Sequence, residues 1–144
     1  MKTPEHFTIK ELVDPDTYQK FGKKSWKFLD SRALETLDQL RNMFGPAIVN
    51  TWAYPNLHKP YGIRKHSGFR PPGCGVGVAY SQHRFGRAFD VLFKNHNASE
   101  VRIKVLNSSR KLFPHITRIE GMVHWFHFDV GFIPNHNGIY VFNP

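Results

Sequence analysis

Ala88-Phe89-Asp90-Val91-Leu92-Phe93 is the stretch on which the fold of this 144-residue chain turns. It is apolar except for Asp90 and rich in side chains that favour extended backbone, so it reads as a central strand. Alternate residues of a strand share a face, which puts Asp90 with Ala88 and Leu92. A carboxylate inside so apolar a run is tolerated only when it is paired or metal-bound.

Ser81-Gln82-His83-Arg84-Phe85-Gly86-Arg87 leads into that strand, and Trp125-Phe126-His127-Phe128-Asp129 repeats its alternation further on. His127 lies with Trp125 and Asp129, while His124 points the other way. If the two strands are neighbours, Asp90 and His127 converge on one ion, with His83 delivered from the loop. Gly86 and Ala88 lack bulk and let backbone or ligand approach closely. Histidine and carboxylate ligands suit Zn²⁺, and three protein ligands with an open fourth position form the catalytic arrangement.

Around this centre the pattern is of mixed elements. Thr8-Ile9-Lys10-Glu11 has the form of a capping box opening a helical turn. From Ser31 to Phe44, Leu34, Leu37, Leu40, Met43 and Phe44 recur at helical spacing, with Gly45-Pro46 as the stop. Ile48 to Ala53 reads as a strand bounded by Pro46 and Pro55. Tyr54 to Tyr80, rich in Pro and Gly, reads as a long irregular rim to the His83 motif. Asn97 caps a helix expected to run to about Leu112, and strands follow at Ile116 to Glu120, Trp125 to Val130 and Ile139 to Phe142. The class is therefore α+β: one domain over residues 1–144, a small antiparallel sheet flanked by helices.

Composition narrows the function. Cys74 is the only cysteine, which excludes an intramolecular disulfide and a cysteine-based metal site. No apolar run is long enough to span a membrane, and Met1 to Phe7 offers no secretory signal, so synthesis in the cytoplasm is expected. The net charge of +9 attracts nucleic acid, an anionic membrane or an anionic wall polymer. The basic residues read as scattered rather than gathered in one run, which weighs against nucleic acid.

Ser81-x-His83-x-x-Gly86-x-Ala88-x-Asp90, the upstream Ser67-Gly68-Phe69-Arg70, Glu120 and Trp125-x-His127-x-Asp129 together resemble the M15-type zinc peptidases. These cut peptidoglycan stem peptides and share their fold with the signalling domain of hedgehog proteins. His6-Phe7-Thr8-Ile9-Lys10-Glu11-Leu12 is similar to the start of single-domain phage and bacterial members. The resemblance implies that His83, Asp90 and His127 hold Zn²⁺, that Glu120 is the catalytic base, and that Arg70 and Ser81 hold substrate. In some branches the catalytic Glu lies three residues before the last ligand, where this chain has His124; others place a second His where it has Trp125. His124 and Asp129 remain alternative bases, Asp129 more as a partner orienting a ligand. The function implied is hydrolysis of a stem-peptide bond next to a D-amino acid, by an endolysin-like enzyme acting at the wall after release or from a virion. The alternatives are a non-catalytic virion or signalling module and, below it, a basic nucleic-acid-binding domain.

Overall fold

The computed structural model describes residues 2–134 and 136–144. Five strands form one sheet in the order β1-β2-β4-β3-β5: β1 is Ala47–Ile48, β2 Ala88–Phe93, β3 Arg118–Glu120, β4 Phe126–Asp129 and β5 Tyr140–Phe142. Helices α1 (Ile9–Leu12), α2 (Pro15–Phe21), α3 (Ser31–Phe44), α4 (His58–Tyr61) and α5 (Ala98–Asn107) surround it. The fold is α+β, as the sequence implies.

The alternation of β2 and β4 gives the sheet two unlike faces. Phe89, Val91, Phe93, Ile119, Phe126 and Phe128 are buried on one, together with Leu34, Leu37 and Leu40 of α3 and Val101 and Val105 of α5. α3 packs against β2 and α5 against β4. The opposite face carries the polar residues, in register. Asp90 pairs with His127, His127 with Glu120, and Glu120 with Phe142; the next row is Ala88, Asp129, Arg118 and Tyr140.

α1 begins as its capping box requires, with the Thr8 N–H donating to Glu11 Oε2 at 2.7 Å. α3 occupies the expected residues, although Met43, at the edge of its apolar stripe, is 38% exposed. Asn97 caps α5 through the Glu100 N–H, but the helix ends at Asn107 rather than near Leu112. The reason is local: the Ser108 hydroxyl donates to the Lys104 carbonyl, and Ser109 anchors a separate turn to Leu112.

Three further expectations are corrected. The strand read over Ile48 to Ala53 shrinks to Ala47–Ile48, because the flank of β2 beyond Leu92 is already occupied. There the Asp90 N–H donates to the Ser67 carbonyl, and Arg64 Nη2 donates to the Asp90 carbonyl. The rim from Tyr54 onward is less irregular than it reads, since it contains a 3₁₀ turn at Pro55–Leu57 followed by α4. Finally, the sheet is not wholly antiparallel, for β5 runs parallel to β3. β4 occupies one side of β3, so the chain leaving β4 loops back and joins the free side in the direction of β3. α2 and the 3₁₀ segment Gly22–Phe28 were not foreseen.

Candidate metal centre

Asp90 and His127 face each other across β2 and β4, with Asp90 Oδ1 2.7 Å from His127 Nδ1. His83 comes from the 3₁₀ turn Gln82–Phe85 and places Nε2 3.3 Å from the same Asp90 oxygen. All three side chains are buried, and one ligand atom from each lies within 4.8 Å of the others. The group could hold a metal ion.

The donor set fits that role, because each imidazole has its remaining nitrogen engaged elsewhere. His83 Nδ1–H donates to the Gly68 carbonyl at 2.8 Å, leaving Nε2 with its lone pair toward Asp90. His127 directs Nε2 to Asp129 Oδ2 at 3.3 Å, leaving Nδ1 for the centre. Asp129, fully buried, is held by Arg118 Nε and Nη2, each 2.9 Å from Oδ2, and by the Gly131 N–H. Ligand orientation is thus fixed by Gly68 on one side and by an Arg118–Asp129 pair on the other.

The Ser67-Gly68-Phe69-Arg70 segment braces both halves. Ser67 holds the backbone of Asp90, Gly68 the ring of His83, and the Arg70 N–H the carbonyl of His83. A side chain at Gly68 would stand 2.1 Å from the Leu12 carbonyl oxygen, so only glycine lets the segment lie this close. Gly86 is likewise fixed, with φ +66° and space for a Cβ only 1.9 Å from the Phe28 carbonyl oxygen.

Glu120 stands beside the centre, its Oε2 4.0 Å from His127 Nδ1. Arg70 Nη2 donates to Asp90 Oδ2 at 3.2 Å, so its guanidinium is tied to a ligand residue as well as facing the cleft. Ser81 caps the turn, its Oγ accepting from the His83 N–H, and also lines the cleft. That cleft, of about 450 Å³, includes Trp125, Arg118, Glu120 and Phe142 in its walls. His124 is exposed and borders a separate small hollow with Asn97 and Val123, away from the centre.

Charge at the centre favours a cation. Burial, the largest influence on His127, disfavours its charge, but hydrogen bonds to Asp129 and Asp90 outweigh it and push the pKa up to about 9. Burial acts upward on Asp90, yet its contacts with the His83 ring and with the protonated His127, which donates a hydrogen bond to it, hold its carboxyl well below the usual range. Burial keeps His83 below its ordinary value, and therefore neutral. Two buried carboxylates thus bind one proton on His127, at a nitrogen that a metal would otherwise take.

Sequence reasoning brought His83, Asp90, His127, Glu120, Arg70 and Ser81 to this region, and all six line the cleft. It missed Arg118, whose only signal was its position two residues before Glu120 on the same strand face. It missed Arg64 too, which reaches the Asp90 carbonyl from a loop that no periodicity marks. Comparison with protein-family models, curated proteins and solved structures finds no match to this chain.

Proposed function

We propose that the chain is a zinc-dependent peptidase that hydrolyses a peptidoglycan stem-peptide bond adjacent to a D-amino acid. The observation that carries the reading is the row Asp90, His127 and Glu120 on three adjacent strands, with His83 closing the set at the floor of an open cleft. The motifs shared with M15-type peptidases support the substrate class.

His83 Nε2, Asp90 and His127 Nδ1 would hold the ion. Zinc there supplies Lewis acidity toward a peptide carbonyl and toward water, whose pKa it lowers to about 7. Glu120 Oε2 accepts the proton of the attacking water and returns it to the leaving amine. Arg70 and Arg118 add positive charge to the walls, and a planar guanidinium suits a substrate carboxylate or carbonyl better than an ammonium does. Ser81 offers its hydroxyl proton to substrate, since its oxygen already accepts from His83.

The test is metal content together with release of new amino groups from purified peptidoglycan, for the native chain, His83→Ala and Glu120→Gln. One zinc per native chain, none in His83→Ala, and cleavage lost in both variants is the expected result. Zinc bound without cleavage would leave a non-catalytic module, and no zinc would remove the reading altogether.

A further inference from the structure

Pro71 to Tyr80 forms a strap along one side of the cleft. It contains no charged side chain and no helix or strand, so its backbone groups find their partners outside regular structure. Val76, Gly77, Val78 and Tyr80 line the cleft, and the side chains of Val76, Val78 and Tyr80 are exposed. Apolar side chains standing out from an irregular segment keep a fixed place only if the backbone behind them is held.

Arg84 holds it. Its guanidinium donates to three carbonyls of the strap: Nη2 to Cys74 at 2.7 Å, Nε to Val78 at 3.2 Å and Nη1 to Pro71 at 3.4 Å. The same carbonyls anchor the local turns, since the Cys74 N–H donates to that of Pro71 and the Ser81 N–H to that of Val78. Arg84 stands behind the strap, bordering an outer hollow with Pro72, Gly73, Cys74, Ala79 and Phe85, and is not among the residues that line the cleft. It nonetheless follows His83 in the turn Gln82–Phe85, so the clamp and a candidate ligand belong to one turn. From the other side the strap rests on Arg70: a Cβ at Gly77 would stand 2.5 Å from Arg70 Nη1, and Nη2 of the same guanidinium donates to Asp90.

We propose that Arg84 is a positioning residue for substrate specificity. By clamping the strap it fixes Val76, Val78 and Tyr80 as the surface against which an uncharged, apolar side chain beside the scissile bond packs. A planar fork with five N–H donors serves three carbonyls at once, which the single ammonium of lysine, on a flexible stem, does not. The inference rests on the peptidase reading and names the strap as the part of the chain that selects the substrate side chain.

The experiment compares the native chain with Arg84→Met, Arg84→Lys and Val78→Ser. Three quantities are read: zinc stoichiometry, kcat and KM on a short soluble stem peptide, and the rate at which Cys74, the only thiol, reacts with an aromatic disulfide. All four proteins should bind zinc equally. Arg84→Met should raise KM by about tenfold and leave kcat within about twofold, because binding common to ground and transition states is lost. Its Cys74 should react about tenfold faster, since the released strap opens more often. Arg84→Lys should resemble Arg84→Met in both readouts. Val78→Ser should raise KM by about fivefold while Cys74 reacts at the native rate, because it alters the wall and not the clamp. Native KM and native thiol rate in Arg84→Met overturn the proposal, as does full rescue by lysine. Loss of zinc and kcat together in Arg84→Met also overturns it, for Arg84 would then serve the ligand turn rather than the strap. Native KM in Val78→Ser removes the strap from the substrate surface. Absence of cleavage by the native chain removes the peptidase reading and the specificity role with it, whereas faster thiol reaction in Arg84→Met would still establish the clamp.

Discussion

Glu120 and His127 are seven residues apart in the chain and directly opposite each other on β3 and β4, with Glu120 Oε2 4.0 Å from Nδ1 of His127. The turn at Gly121 to Trp125 folds the chain back so that this pair shares one face, and Met122 adopts φ 57° within it. A carboxylate placed beside His127 by strand register needs no helix and no H-E-x-x-H pattern. Glu120→Gln keeps the shape and removes the proton acceptor. It should retain zinc at native stoichiometry while the rate of peptide hydrolysis falls by about 10²- to 10⁴-fold, measured as new amino groups per unit time.

Stability without metal should depend on pH in a defined direction. The pKa of His127 in the folded protein is about 9, against an ordinary value of 6.5. A raised pKa contributes stability that is fully present below 6.5 and is lost as pH climbs through 9. Asp90 and Asp129, held below their ordinary value of 3.8, are deprotonated in both folded and unfolded chains in that interval and add no slope, while His83, held low, opposes the drop only near 6.5, where the unfolded imidazole still loses its proton. In a chelator, the melting temperature should therefore drop between pH 6.5 and 9. Saturating zinc should weaken or reverse the drop, because deprotonated His127 is then the bound form. A flat profile in chelator would contradict the proton assignment to His127.

Arg118 earns its place through Asp129. Replacing it with Met leaves a fully buried carboxylate whose remaining partners are the Gly131 N–H and His127. Urea unfolding at pH 7 should show a loss of about 3 kcal/mol. Zinc affinity should fall by about 10- to 100-fold as the His127 ring loses its anchor. Unchanged affinity would mean that Asp129 does not orient the ligand.

Gly68→Ala tests the brace behind His83. Its new methyl would meet the Leu12 carbonyl at 2.1 Å, a backbone atom that cannot swing aside. The segment must shift, carrying the His83 partner with it. A loss of at least about 2 kcal/mol in denaturant unfolding is expected, with weaker zinc binding in whatever fraction folds. Native stability in this variant would refute the close packing of the segment on α1.

The polar face was legible because it obeys a period of two. Asp90 within Ala88–Phe93 and His127 within Phe126–Asp129 announce their faces without any tertiary information. Their pairing, however, depends on register, which local pattern does not set. The metal group could thus be named from sequence while Arg118, significant only once it lies opposite Asp129, could not. The Ile48 to Ala53 stretch failed for a related reason: its β-branched and aromatic residues favour extended backbone, but Ser67 and Arg64 had already claimed the neighbouring edge. α5 failed only at its end, where Ser108 and Ser109 prefer bonds of their own to a further helical turn.

β5 reaches the rest of the sheet only through β3, held there by bonds such as Gly121 N–H to Phe142 O and Tyr140 N–H to Thr117 O. Tyr140 and Val141 remain 45% and 44% exposed, whereas the strands carrying Asp90 and His127 are almost wholly buried. Phe142 nonetheless forms a wall of the cleft and sets its ring edge against His127, 5.6 Å between centres. The opening free energies of the two regions must therefore differ, the outer strand fraying while the inner pair stays closed. Opening of that strand would widen the mouth of the cleft and leave the triangle of His83, Asp90 and His127 undisturbed, so under the proposed function the entry of a substrate and the holding of an ion would be governed by separate parts of one sheet.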